Sequence, residues 1–131
     1  MIVVDTSALM AIVLGEPDGV ACMDCLADAD ELVISAGTLS EFFIVADRRG
    51  RRTDAERLIA GLGVEIVAVQ SGDAKQIADA YSQWGKGVHK AGLNFGDCFA
   101  YALARSSGEP LLCKGDDFVH TDIVVRRPVK I

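Results

Sequence analysis

Short, almost uninterrupted apolar runs, Ile2-Val3-Val4, Leu32-Val33-Ile34, Val64 to Val69 and Pro110 to Cys113, alternate with longer stretches whose apolar residues recur at helical spacing. A strand that shows no polar alternation has both faces covered, which is the situation of strands in a parallel sheet. Parallel neighbours need a crossover of a dozen or more residues, and helices supply it. The alternation therefore predicts an α/β fold: a central parallel β-sheet flanked by helices on both faces. A last short strand falls at Ile123 to Val125. A chain of 131 residues holds one core of ordinary size, so a single domain is expected over residues 1–131.

Helix boundaries follow from capping chemistry. Asp5-Thr6-Ser7 closes the first strand and caps a helix, and Pro17 suits the first turn of a second helix running to about Ala27. A third helix carries Leu39, Phe42, Phe43 and Val45, with Thr38 and Glu41 at capping-box spacing. Thr53 and Glu56 repeat that spacing at the head of a fourth, which stops near Gly61 or Gly63. Ser71 caps a helix reaching about Trp84, Gly85 to Leu93 reads as a Gly-rich basic loop, and Asn94 caps a helix from Phe95 to about Ser106.

Half of the residues are apolar and 24% are charged, the balance of an ordinary globule. No apolar run approaches the roughly 20 residues that cross a bilayer, and Met1-Ile2-Val3-Val4-Asp5 lacks the basic start of a signal peptide, so a cytoplasmic protein without a membrane partner is expected. Cys22, Cys25, Cys98 and Cys113 fall in helix and strand segments and read as reduced thiols; Cys22 and Cys25 form a C-x-x-C, but no second pair completes a zinc site. The markers of P-loop, zincin and serine-hydrolase chemistry are missing, and Asp5-Thr6-Ser7 lacks the second Asp of an aspartate-nucleophile phosphatase. Gly61-x-Gly63 follows a helix, so it is not a dinucleotide loop.

In a doubly wound sheet the ligand crevice lies beyond the carboxyl ends of the strands, where strand order reverses. Asp5 ends one strand, and Asp116 and Asp117 follow another. Asp97 falls in the first turn of its helix and Glu41 projects early from its own, so four carboxyls can converge. Crowded carboxylates raise one another's pKa values unless cations compensate, and all-oxygen donors select hard ions such as Mg²⁺ or Mn²⁺. Two such ions, about 4 Å apart, activate a water and stabilise the leaving oxygen of a phosphodiester. The net charge of −6 argues against a broad basic nucleic-acid face, but bound cations invert the sign inside the cleft. Positive charge gathers in Arg48-Arg49-Gly50-Arg51-Arg52 and in Lys86, His89 and Lys90. Taken singly, each acid also has a bland role: Asp5 as a helix cap, Glu41 in a capping box, Asp97 as a first-turn carboxylate. The Arg cluster reads as a solvated turn, and Tyr81, Trp84 and Tyr101 at helical spacing as core rather than as base-stacking residues.

Five segments resemble the PIN-domain ribonucleases, and within them the VapC toxins of bacterial VapBC pairs. They are Val3-Val4-Asp5-Thr6-Ser7-Ala8-Leu9, Ser40-Glu41, Gly92-Leu93-Asn94-Phe95-Gly96-Asp97-Cys98, Leu111-Leu112-Cys113-Lys114-Gly115-Asp116-Asp117-Phe118 and Thr121-Asp122. Each is weak alone, but their order over nearly the whole chain is specific. The resemblance implies that Asp5, Glu41 and Asp97 hold metal or the attacking water. It places a fourth acid after the last main strand, where Asp116 is preferred to Asp117 and Asp122 is more remote. Asp117-Phe118 is read instead as a turn with Phe118 in the core. Ser7 corresponds to a small hydroxyl residue that positions water or phosphate, and Lys86, His89, Lys90 and Lys114 are candidate RNA contacts. The resemblance further implies a toxin that cleaves structured RNA, transfer or ribosomal, with Mg²⁺ or Mn²⁺. Its partners would be a VapB-type antitoxin and a second copy of itself, in a homodimer and in heterotetramers or larger assemblies with antitoxin. Phe42, Phe43, Ile44 and Val45 are either part of such an interface or simply core. The rival readings are a catalytically weak RNA- or protein-binding module of the same fold, and a metal-dependent DNA nuclease or phosphatase.

Overall fold

The structure, a computed structural model, describes residues 1–128. Strand β1 (Ile2–Val4) is wholly buried and lies between β2 (Leu32–Ser35) and β4 (Leu111–Leu112), parallel to both; β3 (Glu65–Val67) pairs outside β2 and β5 (Val125–Arg126) outside β4. The order is β3-β2-β1-β4-β5, and every pair is parallel. Val3 sits opposite Val33 on one side and Leu111 on the other. The chain moves outward from β1 through β2 and β3, then returns to β4 on the far side, so strand order reverses at the β1–β4 boundary.

The pleat shows why β1 is continuously apolar. Ile2 and Val4 join a core with α1 (Thr6–Val13), α2 (Gly19–Asp28), α3 (Ala36–Arg48) and α4 (Arg52–Leu62), while Val3 joins a second core with α5 (Asp73–Trp84) and α6 (Phe95–Ser107) on the other face. This is the expected α/β sheet with helices on both sides. No helix among the described residues is long and apolar enough to cross a membrane.

Several helix starts differ from expectation, α3 because the end of a strand itself acts as its cap. Ser35, the last residue of β2, caps α3 by accepting from Gly37 N at 3.2 Å, which leaves Thr38 inside the helix and buried. Thr38 and Glu41 are therefore not a capping box. Thr53 likewise lies within α4, whose N-cap is Arg51, and Glu56 pairs with Arg52 at 3.0 Å instead. Pro17 precedes the Asp18 cap of α2, and Ser71 precedes α5, where Asp73 accepts from Gln70 N at 2.8 Å. Asn94 does cap α6, and Asp97 reciprocates to complete a capping box.

Candidate active site

Asp5 leaves β1 with extended backbone and caps α1. Its Oδ2 accepts from the Ser7 N–H at 3.1 Å and from the Ser7 hydroxyl at 2.6 Å. That hydroxyl in turn accepts from the Lys114 N–H at 2.9 Å, which ties the segment after β4 to the start of α1. Ser7 thus spends its proton on Asp5 and orients that carboxylate. The other oxygen, Asp5 Oδ1, is buried without a hydrogen-bond partner. Burial pushes the Asp5 carboxyl up to about 6 against the opposing Ser7 hydrogen bonds, and the Glu41 charge adds to the rise.

Glu41 reaches this point from α3. Its Oε1 accepts from the Thr6 hydroxyl at 2.6 Å. Its carboxylate also lies against the first turn of α6, because a Cβ on Gly96 would stand 1.8 Å from Glu41 Oε2. Position 96 therefore has to be glycine for this approach, although Gly96 makes no turn and has no positive φ.

Asp97 follows immediately. It accepts from Asn94 N at 2.9 Å while Asn94 Oδ1 accepts from Asp97 N at 2.8 Å, which fixes the carboxyl at the positive end of α6. Burial raises it to about 7 despite the Asn94 hydrogen bond, and the charges of Asp5, Glu41 and Asp117 push in the same direction. Three elements distant in sequence thus bring their carboxylates into mutual electrostatic contact.

The two candidates for a fourth acid separate clearly. Asp117 acts electrostatically on Asp97 and on buried Cys113, whereas Asp116 turns outward, its side chain 76% exposed and paired with Arg127. The geometry favours Asp117 over Asp116. Phe118 beside it is buried in the core, as the sequence suggested. Asp122 is further removed in function: it accepts from Tyr101 Oη at 2.5 Å and from Arg105. Burial works against its ionisation, but those two donors outweigh it and hold the carboxyl below the usual range. It braces α6 to the segment before β5.

The basic candidates are mostly occupied. The Lys114 ammonium bonds Glu16 at 2.7 Å and lies 4.0 Å from Asp18. In the Gly85–Leu93 loop, Lys86 N donates to Leu93 O at 2.9 Å, and His89 Nδ1 accepts from Ala91 N at 3.0 Å with its ring edge-on to Trp84 at 4.8 Å. His89 braces the loop, and Lys86 and Lys90 are exposed on it. Arg51 and Arg52 pair with Asp54 and Glu56 at the α3–α4 turn. Trp84 donates to Tyr101 Oη at 2.9 Å inside the α5–α6 packing, away from base-stacking duty. In the Phe42–Val45 stretch Phe42 is core, Phe43 stacks on it at 5.9 Å and carries Arg52 over its face, and Ile44 is 54% exposed. The four cysteines are buried free thiols, with burial pushing Cys113 up to about 12.

A hard divalent cation fits this donor set. Asp5 Oδ1 is a buried acceptor with nothing to accept from, the neighbouring groups are carboxylates, and burial, reinforced by their mutual charge, raises Asp5 and Asp97 in a way that a cation would offset. Among the described residues no three such side chains already stand close enough to enclose an ion. Mg²⁺ is commonly held by one or two carboxylates with waters and substrate oxygens completing its shell, so three enclosing side chains are not required.

Sequence reasoning missed Thr6 and Gly96. Thr6 was visible only as part of the Asp-Thr-Ser cap, and the one local sign for Gly96 is a glycine in a first helical turn that has no conformational need of one.

The PIN domain family model matches residues 2–124. The chain is 42% identical over 125 residues to Ribonuclease VapC30 of Mycobacterium tuberculosis, covering 92% of this chain and 95% of that protein. The structure superposes on Mycobacterium tuberculosis VapC20, described as a Sarcin-Ricin loop cleaving toxin, with TM-score 0.77 at 18% identity, covering 95% and 97% of the two chains. It also matches a chain of a toxin–antitoxin complex from Klebsiella pneumoniae with TM-score 0.72 at 18% identity over 100% of both.

Proposed function

This chain belongs to the PIN domain family, within its VapC branch, and from that premise we propose that it is a Mg²⁺- or Mn²⁺-dependent endoribonuclease, the toxin of a type II toxin–antitoxin pair. The observation that carries the reading is the unpartnered Asp5 Oδ1, buried at the reversal of strand order, with Glu41 acting on Asp5 and both of them, together with Asp117, acting on Asp97. Asp5, Asp97, Asp117 and Glu41 would hold the cation. Asp117 takes the role that the sequence assigned first to Asp116. A bound cation supplies charge stabilisation at the phosphate and lowers the pKa of water to a useful range.

The chain's own residues position and prime that site. Ser7 holds Asp5 through Oδ2 and leaves Oδ1 unpartnered, and Thr6 fixes Glu41. Asn94 holds Asp97, whose carboxyl near 7 is partly protonated at neutral pH and releases that proton as positive charge arrives. The substrate we assign is structured RNA, transfer or ribosomal, with Lys86 and Lys90 exposed to meet phosphates on the loop that leads into α6. The same acidic cleft suits closure by a basic segment of a VapB-type antitoxin, and exposed Ile44 on α3 is available to a homodimer or a larger assembly.

The test is cleavage of total cellular RNA by the antitoxin-free protein with Mg²⁺, with Mn²⁺ and with EDTA, using Asp5→Ala to control for contaminating ribonuclease. Discrete metal-dependent fragments absent from the variant are expected. A folded, metal-loaded protein that cleaves nothing would replace this reading with a binding module, and cleavage confined to DNA would replace it with a DNA nuclease.

A further inference from the structure

Phe95 is the first residue of α6, two positions before Asp97, and it remains 67% exposed. Nothing in the helix start requires an aromatic there. The cap is made by Asn94 and Asp97, and a hydrophobic staple would join the residues flanking them, not this one. The ring is nevertheless held: it meets Phe99 edge-on with centroids 5.0 Å apart and an interplanar angle of 70°. Phe99 is itself fixed by close packing on Gly37, where a Cβ would come within 2.3 Å of its ring. Next in sequence, Gly96 lies under the Glu41 carboxylate. Successive helical positions differ by about 100°, so Phe95 and Asp97 stand on opposite sides of the Gly96–Glu41 contact. A braced, exposed aromatic thus stands in the same first turn of α6 as Asp97, separated from it by the Gly96–Glu41 contact.

We propose that Phe95 is the platform on which a nucleobase stacks, the base belonging to a nucleotide next to the scissile phosphate. This deepens the nuclease reading and rests on it. The physical reason is charge. A chain of net charge −6 offers RNA few cationic side chains beyond Lys86 and Lys90, and stacking supplies affinity that does not depend on charge. Stacking also accepts any base, because each presents a π-face. The ring therefore registers the strand against Asp97 without selecting sequence.

The experiment compares Phe95→Ala, Phe95→Leu and Phe95→Tyr, each in an Asp97→Asn background so that RNA survives. The probe is a set of single-stranded oligoribonucleotides carrying one 2-aminopurine each, titrated with Mg²⁺ present. The parent should quench 2-aminopurine fluorescence. Phe95→Tyr should retain binding and quenching, and Phe95→Ala should bind about 5- to 150-fold more weakly, the range expected for loss of one base–aromatic stack. Phe95→Leu should lose the quench, since it keeps apolar bulk but no π-face. Unchanged binding by Phe95→Ala, or a full quench by Phe95→Leu, would overturn the proposal. So would normal RNA binding by Phe95→Ala together with a changed mass on sizing, which would assign the ring to a protein contact. If the unmutated protein cleaves no RNA, the nuclease reading fails separately, and this titration still reports on the ring.

Discussion

Replacing Gly96 with alanine should disable the site while leaving every carboxylate in place. The new Cβ would stand 1.8 Å from Glu41 Oε2, 2.4 Å from Cδ and 3.0 Å from Oε1, where ordinary contact begins at 3.4 Å. Glu41 must therefore withdraw by about 1.6 Å, which its flexible side chain allows, but only by releasing the 2.6 Å hydrogen bond from Thr6. Misplacing a catalytic group by about 1 Å can lower a rate by about 100-fold, so kcat should fall by that order. Stability separates this cause from general damage. In a helix, alanine is favoured over glycine by about 0.5–1 kcal/mol. In the natural chain this gain is opposed by the loss of a charged hydrogen bond worth about 1.5–3 kcal/mol, discounted because Glu41 is only half-buried. In a Glu41→Ala background there is nothing to displace, and the helix gain remains alone. Gly96→Ala should thus lower stability by about 1 kcal/mol with Glu41 present and raise it by about 0.5–1 kcal/mol without it. Denaturant unfolding in EDTA of all four members of the cycle measures the difference, and cleavage kinetics give the rate. Equal stability changes in both backgrounds, or wild-type kcat in Gly96→Ala, would refute the reasoning.

Two further outcomes follow from the electrostatics. Both Asp5, near 6, and Asp97, near 7, ionise less readily folded than unfolded, where the value is about 3.8. Their contribution is therefore fully present below pH 4 and is lost as pH rises through 6 to 7. Counting only the part of each shift above pH 5, at 1.36 kcal/mol per unit and with screening of half-buried Asp97 allowed for, the loss is about 2–4 kcal/mol. Metal-free melts between pH 5 and pH 8.5 should show it, Asp97→Asn should flatten the slope, and Mn²⁺ at pH 8 should restore stability; a metal-free protein that grows steadily more stable over that range would contradict the burial of these acids. Asp117→Asn should weaken cleavage more than Asp116→Asn, because Asp116 only pairs with Arg127 at the surface, and the reverse order in side-by-side cleavage assays would return the fourth role to Asp116.

What the sequence determined by itself is what nearest neighbours decide. Continuous apolar runs fixed the parallel sheet, since burial on both faces is written into the run, as Val3 and its neighbours Ile2 and Val4 show by entering opposite cores. Asn94 was legible as a cap because capping is settled within three residues. Where two local candidates competed, the choice belonged to tertiary structure. Ser35 displaced Thr38 as a cap only because β2 ends at Ser35 and the chain turns there. Asp116 and Asp117 are adjacent and alike in sequence, and Arg127 beyond β5 draws one of them away. The seat of Glu41 over Gly96 joins two helices far apart in the chain, and no local period contains it. Capping and burial are short-range effects, encoded within a turn or a strand. Convergence of charge depends on how distant elements pack, and only the folded chain sets those distances.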